Sequence, residues 1–366
     1  MHVPPLRRSP RLATTLALSA LLAITPLAPT GHAGAAAPGH ARAAAPYVFY
    51  LSNNFVGNDW RVQMENEARV LVNKPPLKGK VLLKIENSDN TPTAQIASLN
   101  SIIQTHPAAI LVDAASPDAL NNVLTRACDQ GILVLSFDQV VTATCAWKIE
   151  SNWVKMSTDL ALWMALTLHG KGNVFVDRGL AGAPISLVLF HAYTSVLARY
   201  PHIHIVGYFN GNYALGPEQS GVAALLAAHP NVDGILTQGY ATGALHALQG
   251  ARHRLVPVVG FSYNGTLVTC ARVHATCMVG SNPAWLSALA AKIALQVLEG
   301  KTPNKPQHVL LETPLFESNG VRIPGATISK IQLGVNAFPN LPAGLTIPFS
   351  PPWARVTPQE VASAHG

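Results

Sequence analysis

Two aspartates, Asp113 and Asp138, end short aliphatic runs, Ala109–Val112 and Ile132–Phe137. A carboxylate placed there can act as an acid or base, or accept hydrogen bonds from hydroxyls. Other aliphatic runs also end in polar residues: Ser52–Asn53–Asn54, Asp138–Gln139, Gln238–Gly239–Tyr240 and Ser262–Tyr263. Trp60, Trp153, Tyr213, Tyr240 and Trp285 flank these loops. An aromatic face can cover the C–H face of a polyhydroxylated ring while polar neighbours bond its hydroxyls. The sequence lacks a Gly-x-Ser-x-Gly elbow, a P-loop and a His-Glu-x-x-His pair. Gly207-x-x-x-Gly211 is not a dinucleotide fingerprint, and most of the 14 histidines stand singly. With no nucleophile or metal set in pattern, binding is favoured over catalysis. No catalytic residue, metal or cofactor is expected.

The aliphatic runs alternate with helix-length amphipathic stretches from Tyr47 onward. The runs are Tyr47–Leu51, Val81–Ile85, Ala109–Val112, Ile132–Phe137, Val174–Val176, Ile203–Tyr208, Gly234–Leu236 and Val256–Phe261. Near-continuous apolar strands suit a parallel sheet covered on both faces. Several of the intervening stretches begin at proline, which fits the first helical turn. Repeated βα units imply right-handed crossovers in an open sheet, although eight strands can also close into a barrel. The sequence divides into two similar halves at the polar junctions Glu150–Ser151–Asn152 and Ser281–Asn282–Pro283. In open parallel sheets ligands collect at the strands' carboxyl ends. Facing ends from two lobes would form a cleft.

The 366 residues are enough for two domains. Apolar residues make up 49% and charged residues 12%, which excludes a disordered chain, a coiled coil and a helical solenoid. Formal net charge is +7, but Arg7, Arg8, Arg11 and Arg42 lie in an N-terminal stretch without acids. The remainder is close to balance, so nothing marks a nucleic-acid surface. The basic Met1–Arg11, the apolar Leu12–Ala28 and the small residues that follow are read as a cleaved export signal. No cysteine precedes Cys128, which leaves no lipid anchor for the mature N-terminus. Four cysteines in an exported chain favour disulfides, and spacing suggests the local pairs Cys128–Cys145 and Cys270–Cys277.

The sequence resembles the periplasmic substrate-binding proteins of sugar ABC transporters, the ribose-binding-like type I class. The resemblance spans Tyr47 to Leu311. It rests on Leu51–Arg61, Ala109–Asp113 with Ser116–Ala119, Gly131–Asp138, His229–Leu236, Gly243–Leu248, Pro257–Phe261 and Val297–Gly300 in order. It implies an α/β fold of two Rossmann-like lobes with parallel sheets flanked by helices, joined by a three-segment hinge. Expected boundaries are 1–45 for the signal and linker, 46–150 plus 284–310 for the first lobe, and 151–283 for the second. Residues 311–366 would be a C-terminal strand and a proline-rich tail, either wrapping the surface or disordered.

By position, the resemblance makes Asn58 and Trp60 residues that bond and stack on a sugar. Asp113 and Asp138 become hydroxyl acceptors, and Tyr213 the aromatic of the second lobe. Gln139, Asn152, Gln238, Tyr240, Ser262 and Ser281 complete the expected site. Departures are Leu187 for an arginine, Ser262 for an aspartate, Ser281 for a glutamine, Gly239 for an asparagine and Gln139 for an arginine. The first lobe reads as sugar-binding and the second as more apolar, suiting a deoxy or modified sugar, a polyol, or another small molecule with one apolar side. The expected protein is a periplasmic monomer that captures its ligand and delivers it to an ABC permease. Alternatives are a ligand sensor for a membrane receptor or kinase, and an exported enzyme using Asp113 and Asp138.

Overall fold

The computed structural model describes residues 45–181 and 183–364. The expected export signal lies almost wholly outside them. Among the described residues no helix is long and apolar enough to cross a membrane.

The chain first builds β1 (Tyr47–Asn53), α1 (Asp59–Val72), β2 (Val81–Asn87), α2 (Pro92–Gln104), β3 (Ala109–Asp113), α3 (Asn121–Asp129), β4 (Leu133–Phe137) and β5 (Trp147–Ser151). A second set follows: α4 (Trp153–Thr167), β6 (Lys171–Asp177), α5 (Pro184–Leu197), β7 (His202–Phe209), α6 (Leu215–Ala228), β8 (Gly234–Leu236), α7 (Ala241–Gly250), β9 (Val258–Phe261), α8 (Asn264–Arg272) and β10 (Cys277–Gly280). Then come α9 (Leu286–Leu298), β11 (His308–Leu311), β12 (Leu315–Glu317), β13 (Ile328–Lys330) and α10 (Pro358–Ser363).

Two open sheets result, one for each lobe, and no barrel closes. The first runs β11-β5-β4-β3-β1-β2 and the second β13-β12-β10-β9-β8-β6-β7. Every strand pair is parallel except β10 with β12. The chain passes between the sheets after β5, after β10 and again between β11 and β12. Three of these strands, β5, β10 and β11, fall outside the sequence expectation, and where one C-terminal strand is expected within 311–366 there are two, β12 and β13. They are three to five residues long, and β5 alternates buried and half-buried positions instead of forming an apolar run. Their pairing comes from the sheet edge they join, a tertiary effect.

Central strands β3 and β4 are buried throughout, as their uninterrupted apolar runs require. The first lobe's sheet is covered by α1 and α9 on one face and by α2 and α3 on the other. In the second lobe α6, α7 and α8 cover one face, and α4 and α5 the other. Helix starts carry their own signals. Asn58 caps α1, Thr91 caps α2 with Pro92 in its first turn, and Asn152 caps α4. Both expected cysteine pairs are bonded, Cys128–Cys145 and Cys270–Cys277.

Candidate ligand-binding site

In each sheet the strand order reverses once beside the first strand of the lobe. β1 sits between β2 and β3, and β6 between β7 and β8. Crevices at the carboxyl ends of such strands are where open α/β sheets hold ligands. Both crevices here are lined by buried polar side chains.

In the first lobe Asn53, at the end of β1, lies in register with Asp113, at the end of β3. One turn into α1, the Arg61 guanidinium reaches this point. It forms an ion pair with Asp113, donates to Asn53 Oδ1 at 2.9 Å and stands 3.8 Å from Asp138 Oδ2. With its amide oriented to suit both neighbours, Gln139 accepts from Arg61 at 2.6 Å and donates to the Ala114 carbonyl at 3.1 Å. Phe55 and Trp60 place their rings 5.3 and 5.4 Å from the guanidinium carbon. Arg61 is 3% exposed and Asp113 fully buried. Burial pushes both aspartates above the usual carboxylate range, strongly for Asp113, and the Arg61 charge opposes this. Two carboxylates thus share one guanidinium. Asp113 Oδ1 is buried without a partner. Asp138 Oδ1 accepts from Asn282 at 3.0 Å, and Trp60 Nε1 donates to the Asn282 carbonyl at 2.8 Å.

The second lobe repeats the arrangement with different residues. Asp177, at the end of β6, accepts from the backbone N–H groups of Gly179, Gly211 and Gln238 at 2.7–2.9 Å. Gly211 is needed there: a Cβ would stand 2.6 Å from the carboxyl groups of Asp177 and Glu218. Gln238 donates to the carbonyls of Asp177 and Ser186, both at 3.1 Å. Tyr213 and Ser186 share a hydroxyl–hydroxyl bond of 2.6 Å. Tyr213 adopts φ of +54° and stacks on Phe261 at 6.3 Å. Glu218 is fully buried, and neither of its carboxyl oxygens has a hydrogen-bond partner. Burial and the neighbouring Asp177 charge push it well above the usual carboxylate range.

The two lobes meet directly. Tyr240, of the second lobe, donates to Asp59 Oδ2, at the start of α1, at 2.8 Å. The Tyr240 ring lies on Tyr263 with centroids 3.9 Å apart.

The family model for the periplasmic binding protein domain matches residues 49–302. The chain belongs to that family. This periplasmic binding protein is similar to a xylitol-binding protein of Mycolicibacterium smegmatis, at 26% identity over 178 residues. That match covers 48% of this chain and 51% of the relative, so the chain spans about half the length of the curated relative it matches. It is also similar to a solved ABC transporter solute binding protein from Thermobispora bispora, at 27% identity and a TM-score of 0.63, over 73% of this chain and 85% of that one. A solute binding protein from Burkholderia graminis, solved with D-arabinose, matches in fold with a TM-score of 0.64 at 20% identity, over 74% of this chain and 95% of that one.

Within this periplasmic binding protein the expected residues separate into groups. Asp113, Asp138, Gln139 and Trp60 converge around Arg61, and Gln238 and Tyr213 converge around Asp177. Tyr240 spans the lobes. Asn58 turns its side-chain oxygen to the Arg61 backbone N–H as a helix cap. Asn152 caps α4, bonds Glu312 at 2.9 Å, and lines a cavity of about 100 Å³ at the hinge with Lys155, Asp159 and Thr313. Ser262 and Ser281 donate to the Ile347 carbonyl, in the tail. Sequence reasoning missed Arg61, Asp177, Ser186 and Glu218. Asp177 obeys the same strand-end rule that picked out Asp113. Arg61 carried no signal of its own, because its partners lie far along the chain. The second lobe is accordingly more polar than its sequence suggested. Among the described residues no group of His, Cys, Asp or Glu is arranged to hold a metal ion.

Proposed function

We propose that this chain is a solute-binding protein that captures a small sugar or polyol between its lobes and delivers it to an ABC permease. The observation that carries the reading is the pairing of two switch-point crevices, Asn53–Arg61–Asp113–Asp138 and Asp177–Ser186–Tyr213–Gln238, on lobes already in contact through Tyr240 and Asp59. Carboxylates held by a shared guanidinium offer fixed acceptors for hydroxyl donors, and the unpartnered Asp113 Oδ1 is one such acceptor. Trp60 and Tyr213 supply flat apolar faces, and Leu187, 54% exposed, leaves an uncharged side on α5. The named relatives that bind xylitol or carry D-arabinose support a pentose-sized, polyhydroxylated ligand. Hinged lobes that close on such a ligand trap it without chemistry, so the role is binding, not turnover. The mature chain would act as a monomer in the periplasm after signal cleavage.

A thermal-shift screen of residues 46–366 tests this. Xylitol, D-arabinose and a set of pentoses, hexoses and polyols serve as probes. A ligand at one hundred times its Kd adds about 2.7 kcal/mol to stability and raises Tm. Failure of every sugar and polyol, with a hit among organic acids, would discard the ligand class and keep the fold.

A further inference from the structure

The tail beyond β13 is packed, and one short segment of it is gripped from both lobes. Ile347 donates its N–H to the Ser262 carbonyl at 3.0 Å. Its carbonyl accepts from Ser262 Oγ at 2.6 Å and from Ser281 Oγ at 2.7 Å. The preceding residue is held from the first lobe: Gln63, on α1, accepts from Thr346 N at 2.6 Å and donates to Thr346 O at 3.0 Å. Asn264 clamps the approach by bonding Phe338 through both its N–H and its carbonyl, and the carbonyls of Leu341 and Pro342. Gly344 passes against the Asp59 carboxylate, the same group that accepts from Tyr240, and leaves no room there for a Cβ. The segment therefore lies where the lobes meet, beside the carboxyl ends of β9 and β10.

Ile347 turns into the second lobe's core with Phe349. Thr346 precedes it at the junction of the lobes, in a bridge with Tyr263. It is 1% exposed, and its hydroxyl is buried with no partner. A buried hydroxyl left unpaired is costly, and a ligand hydroxyl can satisfy it. Nothing in the backbone requires threonine here, because both bonds to Gln63 use main-chain atoms.

We propose that the tail segment Gly344–Ile347 forms a wall of the interlobe site and that the Thr346 hydroxyl is a specificity-determining contact for a hydroxylated ligand. The proposal rests on the capture reading above. Gln63 is a positioning residue that holds Thr346 in place. The tail carbonyl occupies the hydroxyls of Ser262 and Ser281, so selectivity at this end of the cleft comes from the tail instead of from those serines.

The test is calorimetric titration of the mature chain, with xylitol and D-arabinose among the same sugars and polyols, for the unaltered protein, Thr346→Val, Thr346→Ser and Gln63→Ala. Thr346→Val keeps the shape and removes only the hydroxyl. The expected result is an affinity loss of roughly fivefold, with the ligand-free Tm unchanged or slightly raised, and affinity restored by Thr346→Ser. Gln63→Ala is expected to lower affinity too, with a lower Tm because two tail bonds go. Unchanged affinity in Thr346→Val, with or without a fall in Tm, overturns the wall and leaves the tail as a structural strap while the capture reading stands. Absence of binding by the unaltered chain to every sugar and polyol tried overturns the capture reading itself, and the wall with it.

Discussion

Arg61 on α1 and Asp113 at the end of β3 form an ion pair at the floor of the first lobe's crevice, both almost fully removed from solvent. The pair stands beside a second carboxylate, Asp138, so the guanidinium neutralises charge that the fold has already buried.

Removing that guanidinium should be severe. Arg61→Ala leaves Asp113 and Asp138 buried and unpaired, which costs about 3–5 kcal/mol. Urea denaturation followed by circular dichroism should show the midpoint falling accordingly. The double variant Arg61→Met with Asp113→Leu should recover much of the loss in stability while still failing to bind sugar. Recovery of neither stability nor binding would place Arg61 in a wider network than the one described.

Tyr240→Phe deletes the hydroxyl that bonds Asp59 but keeps the ring on Tyr263. The expected stability cost is about 0.5–1.5 kcal/mol. Its larger effect should be on closure, because this bond joins the lobes. Small-angle X-ray scattering of the ligand-free variant should give a larger radius of gyration than the unaltered chain.

Glu67 and Glu218 predict how stability changes with pH. Both are fully buried, and burial pushes each carboxyl well above the usual range; Gln63 opposes this at Glu67, and the Asp177 charge adds to it at Glu218. The folded chain therefore keeps protons that the unfolded chain releases above about pH 4.3. Their contribution is fully present below that value and is lost as pH rises towards the raised folded values. Buried Asp177 acts in the same direction. Stability measured between pH 5 and pH 8 should decline, and Glu218→Gln should make the decline shallower. A steeper decline in that variant would contradict the assignment.

The two disulfides bridge 17 and 7 residues. Each should contribute about 2–4 kcal/mol, with the longer loop at the upper end. Thiol titration of the denatured, unreduced mature protein should find no free cysteine. The variant Cys128→Ala with Cys145→Ala should unfold at lower denaturant than the one lacking Cys270 and Cys277.

The order of strands and helices was legible along the chain because burial on both faces imposes an apolar run. Ala109–Asp113 shows it, ending at the polar residue that reaches the crevice. Helix starts at Asn58, Thr91 and Asn152 were equally local, since a cap needs only a side chain and an N–H three residues on. The family resemblance pointed to Asp113, Asp138 and Tyr213 and the strand-end rule to Gln238, and these four stand within or beside the two crevices. What these side chains touch was decided elsewhere. Arg61 meets Asp113 from 52 residues away, and Ser262 meets Ile347 from 85 residues away. Such partners leave no periodic trace, because the intervening chain is free to bring any distant residue to the same point. Ser262 stands at a strand end, as the sequence alone indicates, while Ser281, read there as part of a polar junction, follows β10. That their hydroxyls face a tail carbonyl follows only from how residues 342–349 pack between the lobes.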